Sequence, residues 1–235
     1  TWSTKAIKEA KGFGETLVLA SSKGENYNHI PKNYDVPTDL RYLHLTSNNT
    51  IFGTQIQDFP DTKVRLVCDM SSDIFSRRID VEKFDVIYAG AQKNMGPAGT
   101  TLVIIKKDIL GKVKRHIPTM LNYQTHIDKG SMFNTPPVFP IFVSMLTLQW
   151  VKDNGGLEGM EVRNKEKADA LYAEIDRNPL FTGHAAIEDR SLMNVTFNIT
   201  DPTKEDDFVK FCAARNNSGI KGHRSVGGFR ASIYN

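Results

Sequence analysis

The chain has 235 residues, of which 40% are hydrophobic, 24% charged and 9% aromatic. That composition excludes a disordered tail or a collagen-like fibre, and the length gives one large domain or two smaller ones around a real core. Thirty basic side chains against 27 acidic ones leave a net charge of +3. With no long block of like charge, neither nucleic acid nor a membrane surface is expected as a partner.

The N-terminal stretch TWSTKAIKEAKG lacks the apolar run of a signal peptide. Ser3 to Lys11 reads as a short helix capped at Ser3 and stopped at Gly12. Glu15–Ala20, Arg41–Leu45, Val64–Cys68, Phe84–Ala91 and Thr101–Ile105 read as strands. Several are almost continuously apolar, which predicts a sheet covered on both faces by helices. Thr135 to Asp153 is an apolar helix, expected to be buried and too short between its polar breaks to span a bilayer. Leu157 to Arg177 is a long amphipathic helix.

Beyond it the texture changes. Met193–Thr200 alternates like a half-exposed strand, Lys204–Ala214 is helical and Phe229–Tyr234 is a further strand. This predicts a smaller α/β unit over 157–235 following a larger one over 1–156, with the boundary near Gly156. Cys68 and Cys212 are the only cysteines. In apolar settings they read as reduced thiols of a cytoplasmic protein. Sequons at Asn48, Asn194, Asn198 and Asn216 are taken as chance.

Chemistry concentrates in a few places. In FDVIYAGAQKNMGPAGTTLVII (84–105), Lys93 ends a buried strand beside a Gly/Pro turn. It is either a loop lysine in solvent or a lysine in a tight pocket whose desolvated amine forms Schiff bases. Asp69 closes the strand Val64–Cys68, either as a cap or as an acid facing the crevice where α/β sheets bind ligands. Paired, a lysine and a carboxylate are what pyridoxal phosphate requires, one for its aldehyde and one for its ring nitrogen. His223, Arg224 and Arg230 lie in the glycine-rich KGHRSVGGFR (221–230), a solvated basic loop or a site for a phosphate and a carboxylate. Asn134 and Thr135 are N-caps or anion donors at a helix start. Trp2 is a core anchor, the reading its sequence setting favours, or a flat platform for an aromatic ring.

Taken together, AGAQKNMGPAG (89–99), GSMFNTPP (130–137) and KGHRSVGGFRASIYN (221–235) resemble the phosphoserine aminotransferase family. These are class-V, pyridoxal-phosphate enzymes of the aspartate-aminotransferase fold (fold type I), and the likeness runs end to end. It implies an α/β fold with a mainly parallel sheet in the large domain and a smaller C-terminal α/β domain. It also implies that Lys93 holds the cofactor aldehyde, Asp69 pairs with the pyridine nitrogen, Thr50 bonds the ring hydroxyl, and Trp2 stacks on the ring. Gln92 would hold the cofactor phosphate, and Asn134 and Thr135 would reach the same phosphate from the neighbouring subunit of a homodimer. His223 and Arg224 would bind the substrate phosphate and Arg230 the α-carboxylate; no metal is implied.

The reaction so implied is transamination between L-glutamate and 3-phosphohydroxypyruvate, giving O-phospho-L-serine and 2-oxoglutarate in serine biosynthesis. Bacterial members are also associated with 4-phosphohydroxy-L-threonine in pyridoxine biosynthesis. Chains of the family begin well upstream of Trp2 and carry a short helix after Asn235, so a truncated chain is expected. The alternatives are another fold-type-I aminotransferase acting on an unphosphorylated amino acid, and a non-catalytic α/β module.

Overall fold

A computed structural model describes residues 2–224 and 226–235. Helix α1 (Trp2–Ala10) leads into strand β1 (Leu43–Thr46), the short hairpin strands β2 (Asn48–Asn49) and β3 (Thr54–Gln55), then β4 (Leu66–Asp69), β5 (Val86–Gly90) and β6 (Thr101–Ile105). Helices α2 (Tyr123–Asp128), α3 (Val138–Asp153) and α4 (Gly156–Arg177) follow. Strands β7 (Phe181–Gly183) and β8 (Asn194–Ile199), helix α5 (Glu205–Ala213) and strand β9 (Phe229–Ser232) complete the order.

The first sheet has the order β1-β4-β5-β6, with β1, β4 and β5 parallel and β6 antiparallel. Register divides its faces, because side chains alternate along each strand. Leu43, Leu66, Cys68, Ile87 and Ala89 point into a core completed by Met70, Ile74, Phe84 and Met95. Across the strands, Thr46 pairs with Asp69 and Asp69 with Tyr88. These residues and His44 occupy the opposite face, which is only half-buried. The expected cover on both faces is therefore found in full on one face only.

The second sheet, β7-β8-β9, is antiparallel. Ala168, Tyr172 and Ile175, spaced to share one side of α4, pack on Val195, Phe197, Ile199 and Phe229. Phe208 of α5 closes this core edge-on against Phe229, with ring centroids 4.9 Å apart. A buried polar seam joins the two sheets. The Asn48 amide donates to Ser72 Oγ and Asn194 Oδ1 at 2.9 Å each, and Gln55 Oε1 accepts from the Leu192 N–H at 3.0 Å. Asn48 and Asn194 thus have structural work, and both are buried.

Two expectations are corrected. Residues 15–20 form no strand: Leu17 and Val18 are exposed, and only Leu19 packs on the first core. The segment has β-rich composition but no ladder partner among the described residues, and composition cannot supply one. Helix α3 is not buried either. Only Ser144 and Val151 are covered, while Val138, Phe139, Phe142 and Met145 stand more than half exposed. No helix among the described residues is long and apolar enough to cross a membrane.

Candidate active site

The carboxyl ends of β1, β4 and β5 lie along one edge of the first sheet, and there the chemistry-bearing residues gather. Asp69 is the last residue of β4. Its Oδ1 accepts from the Ser71 N–H at 2.9 Å, so it does cap the segment that follows. Ser71 Oγ in turn accepts from the Gly90 N–H at 3.1 Å, tying the end of β4 to the end of β5.

Lys93 follows β5 in a tight turn. The Ala91 carbonyl accepts from the N–H groups of Lys93 at 2.7 Å, Met95 at 3.1 Å and Gly96 at 2.9 Å. Gly96, with φ +152°, lies against α3: a Cβ there would stand 2.9 Å from Ser144 Oγ and 3.2 Å from Ser144 Cα. Lys93 is half-buried, and its Nζ lies 5.1 Å from the centroid of the Tyr234 ring. Gln92 folds its side-chain amide back over Gly90, close enough to meet any Cβ built there.

Trp2, for which sequence favoured the core, is 46% exposed. Its Nε1–H donates to Thr50 Oγ1 at 3.3 Å. The neighbouring Ser3 hydroxyl is 3.0 Å from that of Thr46, so α1 lies over the half-buried face at the end of β1. Arg230 of β9 reaches the same place from the second sheet, its Nη1–H donating to the Thr50 carbonyl at 2.9 Å. Thr50 therefore joins the indole and the distal arginine.

His223 and Arg224 lie in a closed turn before β9. The His223 carbonyl accepts from the Val226 N–H at 2.8 Å, and the Gly222 N–H donates to the Gly228 carbonyl at 2.8 Å. Gly228 has φ +62°, and a Cβ would approach the Phe197 carbonyl to 2.9 Å, so this turn requires glycine. His223 is half-buried and Arg224 exposed. Asn134 and Thr135 are exposed at the start of α3; the Asn134 amide approaches Met120 Sδ at 3.5 Å. No described hydrogen bond or ion pair joins them to the other site residues.

Sequence reasoning missed His44 and Tyr88. His44 Nε2 lies 2.9 Å from Tyr88 Oη. Burial pushes the Tyr88 phenol far above its ordinary range, and the nearby charge of Asp69 pushes the same way. Burial lowers the His44 pKa, with Asp69 opposing. The alternation of RYLHL and FDVIYAG was the available signal, since it sets both rings on the face of Asp69. Among the described residues no group of His, Cys, Asp and Glu is placed to hold a metal ion.

A lysine and a carboxylate follow adjacent strand ends, with an indole and Arg230 meeting nearby at Thr50, on a fold of the fold-type-I aminotransferase kind. The chain belongs to the class-V aminotransferase family, whose model matches residues 16–235. It is 63% identical over its full length to a phosphoserine aminotransferase of Flavobacterium psychrophilum and spans 66% of that relative's length. The structure of phosphoserine aminotransferase from Bacillus circulans subsp. alkalophilus superposes with a TM-score of 0.95 at 46% identity, covering 100% of this chain and 66% of that one. A PLP-bound phosphoserine aminotransferase from Trichomonas vaginalis gives 0.92 at 40% identity, covering 100% of this chain and 68% of that one.

Proposed function

We propose that this chain carries the central part of a phosphoserine transaminase, with pyridoxal 5′-phosphate as cofactor. The amino group would pass between L-glutamate and 3-phosphohydroxypyruvate. The observation that carries the reading is the placement of Lys93 and Asp69 along one sheet edge while Arg230 reaches that edge from the other sheet. The groups present fit the cofactor: an amine for the aldehyde, a carboxylate for the ring nitrogen, a hydroxyl at Thr50 and an aromatic face at Trp2. Residues 1–156 are taken as part of the cofactor domain and 157–235 as the smaller domain.

When bound, the cofactor supplies an electron-withdrawing ring that makes the substrate α-proton acidic. Asp69 would pair with the ring nitrogen. Lys93 Nζ would serve as general base and then general acid toward the substrate α-proton. Trp2 excludes water from one face of the ring, and Gln92 helps hold the cofactor phosphate. Arg230 forks the α-carboxylate, and the two cationic side chains His223 and Arg224 match a phosphate dianion. A plain amino acid needs no such doubling of charge, which favours the phosphorylated substrate. 4-Phosphohydroxy-L-threonine carries the same groups and is a second substrate of this reading. Asn134 and Thr135, exposed and apart, suit a homodimer in which they serve the partner's cofactor phosphate, and the cytoplasm is the assigned compartment.

The test is to load the full chain with pyridoxal phosphate, reduce it with borohydride and map the label. The expected result is a visible absorbance band lost on reduction, label on Lys93, and conversion of O-phospho-L-serine when 2-oxoglutarate is present. Lys93→Ala should lose the band and turnover while keeping the folded far-UV spectrum. Label on another lysine, or turnover by Lys93→Ala, overturns the assignment.

A further inference from the structure

We propose that Asn94 is a positioning residue, forming with the Tyr234–Asn235 segment a clamp that holds the Lys93 amine in place. The inference rests on the functional reading above and deepens it, since neither the motifs nor the family likeness assigns Asn94 or Asn235 a role.

The turn bearing Lys93 is closed within itself, the N–H groups of Lys93, Met95 and Gly96 sharing the Ala91 carbonyl. Those bonds set the shape of the turn but leave open where it stands relative to the second sheet. Asn94 supplies that link. Its side chain is only 2% exposed. Its Oδ1 accepts from the Asn235 N–H at 3.1 Å, while its Nδ2 donates to the Ile74 carbonyl at 3.0 Å and meets Met193 Sδ at 3.4 Å. A backbone N–H only donates and a carbonyl only accepts, so these partners fix the orientation of the amide. Two consecutive pairs therefore face each other: Lys93 Nζ over the Tyr234 ring at 5.1 Å, and Asn94 bonded to Asn235. A shift of the amine along the ring strains the amide bond beside it.

The far side of the clamp is anchored as well. Asn235 Nδ2 donates to the Phe75 carbonyl at 2.9 Å, and Asn235 Oδ1 accepts from Asn164 Nδ2 at 2.7 Å. The same Asn164 nitrogen donates to the Ser76 carbonyl at 3.0 Å, from a fully buried position on α4. Phe75 has φ +60°, a left-handed backbone that phenylalanine rarely adopts, and its carbonyl so presented meets Asn235. Asn94, Asn235 and Asn164 thus join the Lys93 turn, the segment that follows Asp69, helix α4 and the residues after β9. Such a chain of amides favours one arrangement, because each broken bond leaves a buried polar group unpaired. Asn94 is the member beside the amine.

The experiment uses the full chain and pyridoxal 5′-phosphate. Three quantities are read: the rate at which the visible band appears on mixing, the visible circular dichroism of that band, and the melting temperature of the unloaded chain. Asn94→Leu keeps the approximate size of the side chain and removes its hydrogen bonds. It should slow the band by about two- to tenfold, the equivalent of one neutral hydrogen bond, and reduce the dichroism, which reports a fixed orientation. Asn235→Ala keeps the N–H toward Asn94 and removes the anchors on Phe75 and Asn164, so it should move both readouts the same way by less. The deciding comparison is with Tyr234→Leu. If Asn94 acts by placing the amine over that ring, the double variant Asn94→Leu/Tyr234→Leu should be scarcely slower than the slower single variant, because the two losses overlap. Rate losses that multiply in the double variant overturn the clamp. A lowered melting temperature with rate and dichroism unaltered marks a purely structural role and overturns it too, while leaving the aminotransferase reading intact. Failure of the unaltered chain to give the band overturns that reading and this inference with it. Should Asn94→Leu not fold, Asn235→Ala and its double variant with Tyr234→Leu decide by the same readouts.

Discussion

The Lys93 ammonium stands over the face of the Tyr234 ring at 5.1 Å, and the Tyr234 hydroxyl accepts from the Asn194 amide at 3.0 Å. Asn194 belongs to the polar seam between the sheets, so the amine is held by a ring anchored in the second sheet. A contact of this kind contributes about 1 kcal/mol, or roughly fivefold in a rate that depends on it. Tyr234→Leu should therefore slow the appearance of the visible band on adding pyridoxal phosphate by about that factor, with label still on Lys93. Stopped-flow absorbance checks it. An unchanged rate would show that the ring plays no part in placing the amine.

On the proposed function, the basic loop should separate phosphorylated from plain substrates. Arg224→Ala should raise KM for O-phospho-L-serine strongly and for L-glutamate less, because glutamate offers the same position a singly charged group. Arg230→Ala should harm both, since each carries an α-carboxylate and since the variant also loses the bond to the Thr50 carbonyl. Each loss should be about ten- to a hundredfold in kcat/KM, equivalent to roughly 1.5–3 kcal/mol. Steady-state kinetics at fixed ionic strength are required, because screening would lower all values together. Equal losses for the two substrates in Arg224→Ala would remove the phosphate pocket.

Arg190 grips Asp176 with both ends of its guanidinium, Nη1 to Oδ2 at 2.6 Å and Nη2 to Oδ1 at 2.7 Å. Those bonds hold the Asp176 pKa below its ordinary 3.8. A depressed folded-state pKa gives stability that is present above the unfolded value and lost as pH falls through the folded one. Asp176 is 47% exposed, so solvent screening limits the effect to about 1 kcal/mol. Asp176→Asn should be less stable than the parent at pH 6 in urea melts, with a gap that closes as pH falls below about 4. A gap independent of pH would contradict the assignment.

Asp73 is expected to act with the opposite sign. It is buried in the seam, bonded by Ser47 and, at 3.1 Å, by the Gln55 amide. Burial raises its pKa above 3.8 despite those bonds. The folded state then keeps a proton that the unfolded chain releases, so this group's contribution to stability falls as pH rises from the unfolded value through the folded one. Asp73→Asn removes the titration and should flatten the pH dependence of stability in that window. It should also carry a constant penalty, because its amide meets the Gln55 donor. An unchanged slope would place the titration elsewhere.

Residue type and spacing alone settled much of this protein. The strands around 64–68, 84–91 and 101–105 and the helices at 3–11 and 157–177 were legible because apolar period and flanking turn residues act locally, and each appears within a few positions of its expected place. Lys93 and Asp69 were legible for a related reason: a charged residue at the end of a buried strand contradicts its own surroundings. Only the tertiary structure decided that 15–20 finds no ladder partner among the described residues, that α3 shows its apolar side to solvent, and that Trp2 binds Thr50 instead of entering a core. It alone decided that Arg230 meets Thr50 across 180 positions of chain and that Tyr88 and His44 stand beside Asp69. Pairing between distant segments depends on register and on which neighbour covers each face, and neither quantity is encoded in the local pattern that sequence reading uses.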